Sequence, residues 1–179
     1  MTEQPTTQTH RDSRAVPSAS EFTSIPLRNR LRVELDAPVS EVWDLLGDLS
    51  RFPEYSAGLE RVDAKLDDDG HCVEYTCYFK PAEAGAEGAV SRDVMKWYER
   101  NRGYLSVEVD GSWGGGNTVA LTTLDRIPAG TRVTLDMHFD AEDLDAMKAH
   151  MDQEVFADIA ANLIARFGGK VTERYVEGR

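Results

Sequence analysis

The sequence predicts an α+β domain, in which an antiparallel sheet of about seven strands packs against a long C-terminal helix. Three observations support this prediction. Six strand-like runs between residues 59 and 139 are joined by short turn-forming links, the stretch from Leu144 to Phe167 has apolar residues at helical spacing, and two short helices are predicted after a first strand.

The first strand begins at Asn29, where apolar residues at 31, 33 and 35 alternate with charged ones, as in a strand with one solvated face. Pro38 suits the first turn of the following helix, because its φ is already helical. Trp43 lies on the apolar side of this helix and is expected in the core. Gly47 can end the helix in a left-handed conformation, and "SRFPEY" predicts a second short helix.

The links "DDDG", "NRG", "GSWGGGN" and "PAG" have the composition of hairpin loops, so the strands that they join are expected to be antiparallel neighbours. The predicted strands are Leu59–Leu66, Cys72–Phe79, Ala89–Tyr98, Tyr104–Val109, Thr118–Ile127 and Thr131–Phe139.

The long helix is predicted to begin after Asp140, which can cap it with Asp143 near the third position, and to end at Gly168-Gly169. A helix from Leu144 to Phe167 is roughly 36 Å long. Its apolar stripe comprises Met147, Met151, Val155, Ile159, Leu163 and Phe167.

Residues 1–23 are polar and contain almost no large aliphatic side chains, so they are predicted to be a disordered tail. The folded domain is predicted over residues 24–173, and residues 174–179 form a C-terminal tail.

The composition limits the possible partners. The 179 residues carry a formal charge of -12, which disfavours nucleic acid. No apolar run approaches the roughly 20 residues of a membrane span, and the N-terminus has no apolar signal core, so a cytoplasmic protein without membrane insertion is expected.

Cys72 and Cys77 lie five strand residues apart, about 16 Å, and are predicted to be free thiols.

No metal or other cofactor is predicted. The four histidines share no metal-ligand spacing, and "DDDG" lacks the later ligands of a calcium loop. "GSWGGGN" has the glycines of a phosphate cradle, but strand-like sequence rather than a helix follows it.

The segments "LDAPVSEVWDLLGDLSRFPEYS" and "AGTRVTLDMHFDAEDLDAMKAHM", in this order of elements, resemble the START-type helix-grip superfamily. The sequence is most similar to its polyketide cyclase/aromatase and dehydrase branch over about residues 29–173. The resemblance implies a curved sheet wrapped around the long helix, with a ligand cavity between them. It also implies a hydrophobic or aromatic small-molecule ligand, with an acyl carrier protein or polyketide synthase as a possible partner.

Strand alternation then predicts which side chains face this cavity. In the run 89–98 two phases are open, and we favour the one that carries Ser91, Asp93, Met95 and Trp97, since the other would bury Arg92 and Lys96. Asp93 on an apolar wall would have a raised pKa and is the candidate catalytic acid or base. The alternative is a solvated Asp93 that faces outward.

Tyr75 is the second candidate catalytic residue, as a donor to a developing enolate. The aromatic and methionine side chains of the cavity could equally be plain core. The predicted ligand-binding residues are Phe52, Tyr55, Cys77, Ser91, Met95, Trp97, Val107, Leu135, Met137, Met147, Met151 and Val155.

The leading hypothesis is a polyketide cyclase/aromatase or dehydrase-like enzyme. The alternatives are a non-catalytic carrier of a lipid, quinone or other metabolite, and an interaction protein with a vestigial cavity.

Overall fold

The computed structural model describes residues 15–111 and 117–179. Its elements begin with β1 (Asn29–Leu35), α1 (Val39–Leu46) and a 3₁₀ helix (Leu49–Glu54). Six strands follow: β2 (Leu59–Leu66), β3 (Cys72–Phe79), β4 (Val90–Glu99), β5 (Gly103–Gly111), β6 (Val119–Ile127) and β7 (Gly130–His138). The predicted bounds of these strands agree within two residues.

The long helix consists of α2 (Leu144–His150), a π-helical segment (Met151–Phe156) and α3 (Ala157–Phe167), and β8 (Gly169–Val176) follows. The predicted span is confirmed, as is its end, where Gly168 has φ +74°. Asp143, not Asp140, caps the start, because its carboxylate accepts the Ala146 N–H at 3.0 Å. The carboxylate of Asp140 pairs instead with Arg28.

The described strands form one antiparallel sheet in the order β2-β3-β4-β5-β6-β7-β1-β8. Leu31, Val33 and Leu35 of β1 are fully buried, which confirms the predicted alternation. They join the main core between the sheet and the helices. The curved sheet and the long helix together form an α+β helix-grip fold.

β8 was not predicted, and the C-terminal tail proposed for residues 174–179 is wrong over its first half. β8 pairs with β1 along its length. Arg174 on β8 binds the buried Asp152 of the π-helical segment at 2.9 Å. The strand therefore ties the middle of the long helix to the edge of the sheet.

Gly47 ends α1, but its φ of -75° is right-handed, so the prediction of a left-handed stop is wrong. A Cβ at this position would lie 2.4 Å from the Trp43 ring. Trp43 is buried in the main core, as predicted, and Gly47 is the residue that leaves room for its indole.

The predicted N-terminal tail is wrong over its last part, while residues 1–14 lie outside the described residues. Ala19–Glu21 form a short 3₁₀ helix with a capping box from Ser18. Ala19 is buried, and Phe22 packs beside it on a second apolar cluster, called here the outer cluster. The outer cluster comprises Ala19, Phe22, Trp97, Leu105, Val107, Val119 and Leu121.

This packing leads to a stability prediction. Removal of residues 1–23 should lower the melting temperature by about 2–8 °C relative to removal of residues 1–14, because it uncovers the outer cluster at a cost of roughly 1–2 kcal/mol. Thermal melting followed by circular dichroism of the two truncated proteins measures the difference. Equal midpoints would show that residues 15–23 contribute nothing to the fold.

Candidate functional site

A cavity of about 600 Å³ lies between the inner face of the sheet and the long helix. The helix contributes Met147, Met151, Val155, Ile159 and Leu163, which is the predicted apolar stripe without Phe167. The π-helical segment lies in the middle of this wall. The lining is predominantly apolar.

Most of the predicted ligand-binding residues line this cavity. From the sheet and the 3₁₀ helix it is lined by Phe52, Tyr55, Tyr75, Cys77, Ser91, Asp93, Leu135 and Met137. The favoured phase of β4 is thus confirmed at Ser91 and Asp93, which are both buried. Cys72 and Cys77 are free thiols, as predicted.

Met95, Trp97 and Val107 were also predicted to line the cavity, and these three assignments are wrong. The register of β4 against β5 shifts between Met95 and Trp97, so Lys96 is an extra residue in the ladder. Such a bulge reverses the side-chain alternation beyond it. Trp97 therefore packs in the outer cluster, while Met95 packs against the main core without reaching the cavity lining.

Val107 packs in the outer cluster, and the opposite phase of β5 faces the cavity. That phase places Tyr104 and Glu108 in the lining, with the fully buried Ser106 between them. Glu108 was missed because the apolar phase of β5 was taken as the inner one. The residues of β5 alone carry no signal that identifies Glu108 as inward, because Leu105 and Val107 form the more apolar phase.

A cluster of polar groups in the cavity lies on β3, β4 and β5. Asp93 lies opposite Tyr75 on β3 and opposite Glu108 on β5 in the strand register. The Ser91 hydroxyl donates to Asp93 Oδ2 at 3.3 Å, and the hydroxyls of Tyr75 and Ser106 are hydrogen bonded at 2.8 Å. A carboxyl pair and a phenol therefore share one wall of a predominantly apolar cavity.

Burial and the neighbouring carboxylate of Glu108 raise the pKa of Asp93 to about 7, while the Ser91 hydrogen bond opposes this shift. Burial also raises the pKa of Glu108. The pKa of Tyr75 is raised well above its usual value, by burial and then by Asp93, so its phenol stays neutral. Burial is also the main reason that the pKa of Cys77 rises to about 12, which disfavours a thiolate nucleophile.

The Glu108 carboxylate is buried with one of its two oxygens unpaired among the described residues. The unpaired oxygen is Oε1. A Cβ at Gly111 would lie 1.9 Å from this oxygen, so glycine at position 111 leaves the space that the carboxylate occupies. Residues 112–116 of the predicted "GSWGGGN" loop lie outside the described residues.

The more exposed charged side chains of the lining, called here the rim, are mostly acidic. The rim comprises Lys80, Asp140, His150, Glu154 and Asp158. His150 pairs with Glu154 at 3.2 Å, and Asp158 accepts the Ala57 N–H at 2.6 Å. The second of these contacts ties the long helix to the link between the 3₁₀ helix and β2.

The "DDDG" segment forms the predicted turn between β2 and β3. Asp67 Oδ1 accepts the backbone N–H groups of Asp69 and His71, both at 2.9 Å. Donor atoms of these three residues lie within 4.8 Å of one another, but all three side chains are exposed. The turn geometry accounts for their arrangement.

The model of a family described as "polyketide cyclase / dehydrase and lipid transport" matches residues 27–174. The chain belongs to this family. It is accordingly a domain that binds a small hydrophobic ligand. No curated protein matches the chain at the same stringency.

Solved structures share the fold. A START superfamily protein from Mycobacterium smegmatis superposes with a TM-score of 0.63 and 13% identity, over 79% of this chain and 97% of that one. A protein from Thermobifida fusca gives a TM-score of 0.62 and 21% identity, over 78% of this chain and 91% of that one. No helix among the described residues is long and apolar enough to cross a membrane.

Proposed function

We propose that the domain is a polyketide cyclase or dehydrase-like enzyme, which binds an apolar or aromatic carbonyl compound and moves a proton on it. The observation that carries the proposal is Asp93, a buried carboxyl group in the cavity lining whose pKa is raised to about 7. A group that titrates near neutral pH can both accept and return a proton, whereas an ordinary surface aspartate is too weak a base.

In this mechanism the Asp93 carboxylate takes a proton from the carbon next to a ligand carbonyl. The electron pair of the broken C–H bond moves to the carbonyl oxygen, and an enolate forms. Tyr75 stabilises that oxygen with its neutral O–H group, provided that Ser106 donates to the phenol oxygen and leaves the phenol proton for the ligand.

The enolate carbon can then attack a second carbonyl of the same folded chain to close a ring. Protonated Asp93 returns its proton to the alkoxide that this attack forms. For loss of water, Asp93 then takes the second proton from the same α-carbon and returns it to the departing hydroxyl. Each proton that Asp93 accepts is thus returned, and no oxidant or reductant is needed. The apolar walls hold the flexible chain in one folded shape, which favours ring closure.

The second candidate function is a non-catalytic carrier of a lipid or other apolar metabolite. The predominantly apolar lining supports it, and so does the lipid transport named in the family description. A carrier needs the volume and the apolar surface but not the titrating carboxyl.

A test that requires no knowledge of the natural substrate is deuterium exchange at the α-carbons of 2-tetralone in D₂O, followed by NMR. Only ionised Asp93 can act as the base, so the protein-catalysed rate should rise with pH, with a midpoint at about 7, and level off above it. The titratable groups beside Asp93 are Tyr75 and Cys77 on β3 and Glu108 on β5. Binding of 2-tetralone is measured first. Exchange no faster than in buffer at saturating ligand would support the carrier.

A further inference from the structure

Two carboxyl groups of the cavity wall have no cationic partner within the described parts of the chain. Glu108 and Asp93 face each other across neighbouring strands, and neither takes part in any ion pair there. Lys80 is the single lysine or arginine of the described lining, and it belongs to the exposed rim. Buried charges are normally paired, because an uncompensated one is costly.

The Glu108 carboxylate has a hydrogen bond from Thr118, but one of its two oxygens lacks a partner among the described residues. It is 6% exposed, and its Oε1 accepts no hydrogen bond from a described residue. The glycine at position 111 leaves room for this carboxylate against the backbone. Each buried polar atom without a partner destabilises the fold, so an unpartnered acceptor in a ligand cavity indicates a donor on the ligand.

The charge of the rim favours the same kind of ligand. Three of its five members are carboxylates, Asp140, Glu154 and Asp158. The whole chain has a formal charge of -12. A field of this sign raises the local concentration of cations and repels anions such as phosphates and carboxylates.

We infer that the natural ligand is an apolar, carbonyl-containing molecule with one basic nitrogen, and that its ammonium group binds at Glu108 opposite Asp93. A neutral hydroxyl could donate one hydrogen bond to Oε1 but would leave the negative charge uncompensated. A cation satisfies both the acceptor and the charge, and a charge-assisted hydrogen bond is about twice as strong as a neutral one.

This ligand class narrows the one given in the proposed function. It rests on that function, because the ligand must occupy this cavity. A cation beside the pair favours the charged form of both carboxyls. Asp93 would then be ionised in the complex and available as the proton acceptor. The ammonium group would also fix which end of the ligand lies against β5.

The test compares two probes of equal shape, 2-naphthalenemethylamine and 2-naphthalenemethanol, by isothermal titration calorimetry on the full chain at about pH 8. The amine should bind about 10- to 100-fold more tightly than the alcohol, which corresponds to a hydrogen bond to a charged group. Glu108→Gln should abolish this preference by weakening amine binding, with alcohol affinity changed less than about twofold.

Glu60→Gln is the matched control, because Glu60 is exposed on β2 and does not line the cavity. It should keep the full preference for the amine. Asp93→Asn provides a second cavity variant if Glu108→Gln does not fold, and it should reduce the preference as well. Equal affinities of the wild type for the two probes, or no binding of the amine, would overturn the inference.

This measurement does not depend on turnover. An amine preference without exchange of 2-tetralone would uphold the inference and remove the proposed enzyme activity. Exchange of 2-tetralone that depends on Asp93, without any preference for the amine, would uphold the enzyme activity and overturn the inference about the ligand.

Discussion

Asp93→Asn should reduce the rate of 2-tetralone deuterium exchange by about 10²- to 10⁴-fold, the usual contribution of a positioned acid or base. Asparagine keeps the volume of the side chain and can still accept from Ser91, but it cannot take up the proton. The apolar walls that hold the ligand are unchanged, so the affinity for 2-tetralone should stay within a few-fold. Exchange rates at saturating ligand separate the two effects.

Asp63→Asn is the matched control for this substitution. Asp63 lies on β2 with its side chain exposed and pairs only weakly with the exposed Arg61. This variant should exchange 2-tetralone as fast as the wild type. An Asp93→Asn protein with normal binding and full exchange activity would remove Asp93 from the mechanism and leave the shape of the cavity as the main catalytic device.

The folding stability of Asp93→Asn provides an independent check on the raised pKa. The pKa of Asp93 is about 7 in the folded protein and 3.8 in a solvated side chain, so the folded state binds the proton more tightly. The contribution of Asp93 to the free energy of unfolding is fully present below about pH 4, and it is lost as the pH rises through 7. Asparagine should therefore stabilise the protein at pH 8, by at most about 4 kcal/mol, and have little effect at pH 4.

Urea denaturation at the two pH values measures this difference. Equal effects of the substitution at both would show that Asp93 is not desolvated in the folded protein.

The order and the bounds of the elements could be predicted because local patterns determine them. Alternation defines the strands, turn residues separate them, and the apolar stripe from Met147 to Leu163 defines the long helix. Asp93 could be assigned to the inner face for the same reason, since the other phase would have buried Arg92 and Lys96.

The inner phase of β5 could not be read from its own residues. Leu105 and Val107 form the more apolar phase, and an apolar face is normally the one turned to the core. In the folded chain Ala19 and Phe22 cover this face from outside. The face of β5 that is turned to the cavity is therefore determined by a contact between segments more than 80 residues apart. For this reason Glu108 was not predicted from the sequence.

Trp97 and β8 illustrate two further limits. One extra residue at Lys96 reverses the alternation, and no turn residue marks the bulge. β8 follows a helix that ends at a glycine pair, and most of its side chains are exposed, so it has no apolar face to be recognised by. Its position is determined by backbone hydrogen bonds to β1 and by the hydrogen bond from Arg174 to Asp152.

Trp43→Ala should lower the free energy of unfolding by about 3–5 kcal/mol, the usual cost of truncating a large buried aromatic residue. The indole is 5% exposed and packs edge-on against Tyr98, with ring centroids 5.2 Å apart. The Tyr98 hydroxyl donates to the Gly47 carbonyl at 2.7 Å. Tyr98 on β4 thus contacts both the Trp43 indole of α1 and the backbone at the end of that helix. Urea denaturation at neutral pH measures the loss.

The double-substitution cycle with Gly47→Ala distinguishes this packing from a general loss of core volume. In the wild type the new methyl group would lie 2.4 Å from the indole, so Gly47→Ala alone should cost about 1–3 kcal/mol, as overpacking does. In the Trp43→Ala background the indole is gone and φ at position 47 is helical, so the same change should be neutral or stabilise by up to about 1 kcal/mol. Additive costs would mean that Gly47 is needed for a reason other than the indole, because residues that share one contact do not add.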